Sequence, residues 1–93
     1  MALVHNNLTV GTTVTPLCTI PNGVGKVQVS IYNNDTSAIF VGDSAITVTA
    51  GSNQGLTVPK ATVIQFLLNG NDTLYGISAA GTLTGAVVVM YSV

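Results

Sequence analysis

The stretch Lys26-Val-Gln-Val-Ser-Ile-Tyr32 decides the fold class, because apolar positions alternate in it with Gln28, Ser30 and Tyr32. A period of two is typical of a β-strand that buries one face. The chain continues with Asn33-Asn-Asp-Thr-Ser37, a composition that favours a turn. The apolar run Ala38-Ile-Phe-Val41 follows it. These features predict a β-hairpin over residues 26–41.

Similar alternation runs through most of the chain and predicts about eight short antiparallel strands without a helix. Residues 61–68 are apolar on both faces, which favours a central strand. Turn signals recur every ~8–12 residues, as in sandwiches and small barrels. We therefore expect an all-β protein with a single small β-sandwich over residues 8–93 and an N-terminal arm at residues 1–7. Alternation leaves jelly-roll and immunoglobulin-like strand orders open. The other strands are predicted at residues 8–14, 17–20, 45–49, 56–58, 73–77 and 82–93.

Charge is scarce in this sequence. Charged residues make up 5% of the 93 residues, whereas a typical soluble domain has about 25%. Lys26 and Lys60 are the only Lys or Arg residues, and the formal net charge is -1. Neutralising several phosphates takes a cluster of cations, so we expect no nucleic-acid partner and no membrane partner. The N-terminal residues lack the pattern of a secretory signal, which predicts synthesis in the cytoplasm.

The residues that commonly carry catalysis or bind metals are few. His5 is the only imidazole and Cys18 the only thiol, whereas nucleophilic catalysis needs a nucleophile beside an oriented base. Asp35, Asp43 and Asp72 each fall in a predicted turn, where a carboxylate more often caps the backbone than binds calcium. We predict that the chain is not an enzyme and has no catalytic residues, no metal ligands and no cofactor.

The uncharged surface favours burial against other proteins, because its polar residues are mainly Thr, Asn, Ser and Gly. We expect self-association, with Phe66, Leu68 and Tyr91 as candidates for the subunit interface. Tyr32 and Tyr75 are candidates for a different role, since exposed aromatic rings on a β-surface stack on sugars. One alternative hypothesis is therefore a free carbohydrate-binding β-sandwich.

Three segments of the chain form a recognisable pattern of apolar positions and turns. The first runs Val27-Gln-Val-Ser-Ile-Tyr-Asn-Asn-Asp-Thr-Ser-Ala-Ile-Phe-Val-Gly42, and Gly55-Leu-Thr-Val-Pro59 and Asp72-Thr-Leu-Tyr-Gly-Ile77 follow, before a Val-rich last strand. Over roughly residues 24–93 this pattern resembles the small virion proteins of tailed bacteriophages, of the capsid decoration (cement) or head-fibre type. The alternative hypothesis then includes a carbohydrate-binding module attached to a phage tail or fibre.

The resemblance implies a β-sandwich, usually trimeric, that lies on the outer head surface and braces neighbouring capsid subunits. It brings no catalytic residues. The leading hypothesis is therefore a structural protein of the virion that stabilises the capsid lattice as a homotrimer, with the major capsid protein as its partner. Residues 1–23 lie outside the resemblance, and Leu3, Val4 and His5 in the arm are the candidates for docking on the capsid.

Overall fold

The computed structural model describes residues 3–34, 37–49, 51–78 and 83–93, and the side chains of residues 83–86 are not described. This part of the chain contains eight β-strands and no helix, which confirms the predicted all-β class. The strands are β1 (Leu3–Val10), β2 (Thr15–Thr19), β3 (Val27–Asn33), β4 (Ile39–Gly42), β5 (Leu56–Val58), β6 (Thr62–Leu68), β7 (Thr73–Ser78) and β8 (Leu83–Ser92).

The strands form two four-stranded sheets in the orders β1-β8-β3-β6 and β2-β7-β4-β5. Pairing runs inward from the two chain ends, as β1 with β8, β2 with β7, β3 with β6 and β4 with β5, and every pair is antiparallel. The chain is thus one long hairpin rolled up into a sandwich, which is the jelly-roll order and excludes the immunoglobulin-like one. Residues 3–7, expected in an arm, lie in β1.

The hairpin predicted between β3 and β4 is wrong. β3 pairs with β6 and β8, whereas β4 pairs with β5 and β7 in the other sheet. After Asn33 the chain crosses from one sheet to the other. The Asn33 side-chain amide holds the two sheets together at this point, since it donates hydrogen bonds to the carbonyl oxygens of Ser37, at 2.8 Å, and of Val58 in β5, at 3.1 Å. Residues 35 and 36 of the predicted turn lie outside the described residues, and a predicted turn does not reveal whether the next strand stays in the same sheet.

Two further strand predictions need correction. β6 is an edge strand of its sheet and not a central one. Residues 45–49 form turns and one isolated bridge from Thr47 to Gln54 in place of a strand. This region has no hydrogen-bond ladder to a neighbouring strand. Instead, the Thr47 N–H donates to the Asn53 carbonyl oxygen, and the Gly55 N–H donates to the Thr47 carbonyl oxygen.

The core lies between the two sheets and is built from the inward positions of both. Val29 and Ile31 of β3 are fully buried, as the alternation predicts. Burial of each such side chain contributes roughly 1.5–3 kcal/mol. The other members with at most 2% exposure are Val10, Ile20, Ile39, Val41, Val58, Val87 and Val89.

Candidate binding surface

The outward side of the β1-β8-β3-β6 sheet is the most distinctive surface of the molecule, and we call it the outer face. Strand register fixes its members. His5 of β1 lies beside Met90 of β8, Met90 beside Ser30 of β3, and Ser30 beside Gln65 of β6. With the neighbouring rows, the outer face consists of Leu3, His5, Asn7, Val88, Met90, Ser92, Gln28, Ser30, Tyr32, Val63, Gln65 and Leu67.

The outer face combines exposed apolar side chains with a complete lack of Lys, Arg, Asp and Glu. Leu3 is 68% exposed, Leu67 61%, Val63 57% and Met90 43%. Among the described residues the only other large apolar side chain with comparable exposure is Leu56, on the second sheet. Several large apolar side chains exposed on one uncharged sheet face are typical of a site of contact with other molecules.

Neutral hydrogen bonds order the polar part of the outer face. The Gln28 amide donates to the Gln65 carbonyl oxygen at 2.8 Å, and the Gln65 amide donates to the Ser30 hydroxyl at 3.2 Å. The Tyr32 hydroxyl donates to Asn34 at 3.3 Å. These groups remain able to bond a neighbour, because amides and hydroxyls are both donors and acceptors. A partner for this surface needs no complementary charge.

The three residues predicted to dock on a capsid separate into two groups. Leu3 and His5 lie on the outer face, together with Met90 of the neighbouring strand. Val4 points to the other side of β1 and packs against the core. The structure therefore brings two of the three residues onto one exposed surface, as part of a strand.

The residues predicted for a subunit interface all face inward. Phe66 and Leu68 are partly buried against the core, and Tyr91 is only 9% exposed. More buried and more exposed side chains alternate along β6 and β8, so the side chains presented to solvent belong to the residues adjacent to these three. The exposed apolar residues of β6 are Val63 and Leu67, not Phe66 and Leu68. A contact between subunits on this face of β6 would therefore involve Val63 and Leu67. Sequence reasoning missed both residues, although the apolar character of both faces of residues 61–68 was the signal.

The two candidate sugar-binding tyrosines lie on different sheets. Tyr32 is half-buried on the outer face, as the alternation in β3 predicts, whereas Tyr75 is half-buried on the outward side of β7. The sandwich separates them, so they do not form one stacking platform. No pocket forms among the described residues.

The two Asp residues that the structure describes, Asp43 and Asp72, lie in turns. The Asp43 carboxylate accepts hydrogen bonds from the Ala45 N–H at 2.9 Å and from Asn53 at 3.2 Å, and Asp72 accepts one from the Asn69 N–H at 2.8 Å. These are turn-capping contacts, as expected. Asp35 lies outside the described residues, and the described residues contain no cluster of three metal-ligating side chains.

The only thiol belongs to the core. Cys18 is buried, and burial raises the pKa of its thiol, while a backbone hydrogen bond from Leu74 acts in the opposite direction. A raised pKa keeps the sulfur protonated near neutral pH, where a nucleophile needs the thiolate. Cys18 therefore acts as a small core residue.

Comparison with known proteins assigns no family: no protein-family model matches the chain, and no curated protein or solved structure shows significant similarity to it. No helix in the described part of the chain has the length and apolarity needed to cross a membrane. The features of the chain that bear on its function are therefore the outer face and the sequence itself.

Proposed function

We propose that this chain is a structural protein of a tailed-phage virion, which decorates the outer surface of the capsid as a homotrimer and stabilises the lattice of the major capsid protein. The observation that carries the proposal is the outer face, a sheet surface with exposed Leu3, Val63, Leu67 and Met90 and no charge. The resemblance of residues 24–93 to decoration proteins supports the same role.

The physical requirements of a decoration protein fit this surface. Such a protein must bind many identical sites through extended contact, without chemistry. The outer face belongs to a molecule whose two larger extents are 36 and 25 Å, and it spans four strands. These dimensions are on the scale of a standard interface, which buries about 800 Å² on each partner.

The rigidity of the surface also favours this role. Its central strands β8 and β3 are paired on both sides. The buried side chains of β3 and β8 anchor them in the core. A preformed surface loses little conformational entropy on binding, which raises affinity for a repeated rigid site. β1, with Leu3 and His5, forms one border of this surface.

The test is binding to heads of the encoding phage that lack this protein, measured by co-sedimentation. We expect wild-type protein to saturate the heads at a fixed stoichiometry. Met90→Asp places a charge in the middle of the outer face and should weaken binding about tenfold or more, since an unpaired charge is costly to bury in an interface.

Thr57→Asp is the matched control. Thr57 is exposed on β5 of the other sheet, so the same charge is added on the opposite side of the sandwich. Circular dichroism establishes that both variants fold. Heads that bind neither wild-type nor Thr57→Asp protein contradict the proposal, as does equal binding by Met90→Asp and wild type.

A further inference from the structure

The four edge strands of the sandwich differ in how they are protected against pairing with another chain. Edge strands are usually interrupted by proline, bulges or charge, or are kept short. β2 contains Pro16 and a register shift next to it, and β5 has only three residues. β1 has a register shift between Leu8 and Val10. Each of these three edges therefore carries a feature that limits pairing.

β6 carries none of these features. Its seven residues, Thr62-Val-Ile-Gln-Phe-Leu-Leu68, include no proline and no charge. Its register with β3 is continuous from Asn33 beside Thr62 to Val27 beside Leu68. No strand of the described chain lies on its other side. A long, regular, apolar edge of this kind is a template for a further strand.

The sequence of β6 is complementary to itself when read in the opposite direction. If two antiparallel copies are centred on Gln65, each Gln65 lies opposite the other. Val63 then lies opposite Leu67 on the outer face, and Ile64 lies opposite Phe66 on the core side. Apolar side chains therefore meet apolar ones at these positions, Thr62 lies opposite Leu68 at the two ends, and the central amides bond each other as donor and acceptor.

The charges next to β6 are also complementary in this arrangement. Lys60 precedes the strand and Asp72 follows it, and the strand between them is uncharged. An antiparallel pair of strands places the end with Lys60 beside the end with Asp72 at both extremities. A parallel pair would place like charges together, which is unfavourable.

We infer that β6 pairs antiparallel with β6 of a second copy of this chain, about a two-fold axis at Gln65, to extend the outer face into one eight-stranded sheet across two subunits. Such a contact is isologous, because each copy contributes the same residues. It does not depend on the proposed capsid role. In the homotrimer proposed above, it joins two trimers.

The test introduces charge at the axis. Gln65→Glu and Gln65→Lys each place two like charges opposite each other, and we expect association about 100-fold weaker for either variant alone. Asn7→Glu is the matched control, because Asn7 is exposed on β1, at the opposite edge of the same sheet. It adds the same charge to the same face away from the axis.

Native mass is measured by light scattering over a concentration series, with circular dichroism to verify folding. We expect wild type and Asn7→Glu at an even multiple of the 9.4 kDa chain mass, and half of that multiple for each Gln65 variant. An equimolar mixture of the two Gln65 variants should regain the wild-type mass, because opposite charges then meet. An odd-numbered wild-type assembly, unchanged Gln65 variants or a mixture that fails to recover would overturn the inference. Head binding by Met90→Asp tests the capsid role separately.

Discussion

Replacing Asn33 tests how the two sheets are joined. Asn33 is fully buried at the end of β3, and its amide donates to the carbonyl oxygens of Ser37 and of Val58 in the other sheet. The backbone carbonyl oxygen of Asn33 accepts a hydrogen bond from the Ala61 N–H at 2.7 Å. Asn33→Asp keeps the shape of the side chain but replaces the donor with an oxygen that faces two acceptors.

The size of the effect follows from these contacts. Asn33→Ala loses the two hydrogen bonds that the side-chain amide donates, at about 1 kcal/mol each, together with buried contact, so we expect a loss of about 2–4 kcal/mol. Asn33→Asp should cost about 3–5 kcal/mol at neutral pH, because a negatively charged oxygen then faces the carbonyl oxygens of Ser37 and Val58 in a buried site. Near pH 3 the acid is neutral and can donate once, which should return at least about 1 kcal/mol.

The sign of the pH dependence is fixed by burial. Because the folded protein disfavours the carboxylate, the introduced acid has a higher pKa when folded than when unfolded. Its stability penalty is smallest below the unfolded pKa of about 3.9 and grows as pH rises through the folded pKa. The prediction is therefore a difference from wild type that increases between acidic and neutral pH.

Urea unfolding followed by far-UV circular dichroism measures these differences, at one fixed protein concentration and with wild type measured at each pH. Asn34→Asp is the matched control, because Asn34 is exposed and its side-chain oxygen, which the substitution keeps, accepts a bond from Tyr32. It should change stability by less than about 0.5 kcal/mol. A pH-independent loss for Asn33→Asp, or an equal loss for both variants, would refute the assigned role of the Asn33 amide.

Two further predictions concern the core and one tight turn. Because burial raises the pKa of Cys18 above its ordinary value of 9.0, its thiol should react with a disulfide reagent far more slowly in native protein than in urea. The buried, protonated thiol of Cys18 favours the folded state below about pH 9, and this contribution to the free energy of unfolding is lost as pH rises through the folded pKa. The melting temperature of wild type should therefore fall more steeply above pH 9 than that of Cys18→Ala. Equal slopes for the two proteins would contradict this. Gly70→Ala should lower stability by about 1–3 kcal/mol, because its Cβ would lie 2.6 Å from the Val24 carbonyl oxygen. Gly25→Ala, with no atom within 4 Å of its Cβ, should unfold within about 0.5 kcal/mol of wild type, and a similar loss for both variants would contradict the packing argument.

Local alternation was sufficient to predict most of the strands. β3 and β6 were located within a residue of their ends, because side-chain period determines which face is buried. The region of residues 45–49 was predicted wrongly, because its apolar alternation is too short to outweigh the local hydrogen bonds of Thr47. Alternation describes a single strand and does not indicate whether a partner strand is available.

Strand order could not be predicted, because it depends on pairs that are distant in sequence. β1 and β8 join the two ends of the chain, and nothing local in either strand identifies the other. For the same reason β6 was expected in the centre of a sheet, although its apolar outward residues Val63 and Leu67 are exposed at an edge. The candidate surface could be recognised only after the register placed Val63 beside Tyr32 and Leu67 beside Gln28.

The thermal stability of heads with and without this protein tests the proposed function most directly. Heads of the encoding phage are prepared without the chain, and DNA release on heating is followed before and after purified protein is added back. The proposal predicts that wild-type and Thr57→Asp protein raise the release temperature, while Met90→Asp does so only at much higher concentration. An unchanged release temperature with saturating wild-type protein would contradict the proposal that this chain stabilises the capsid.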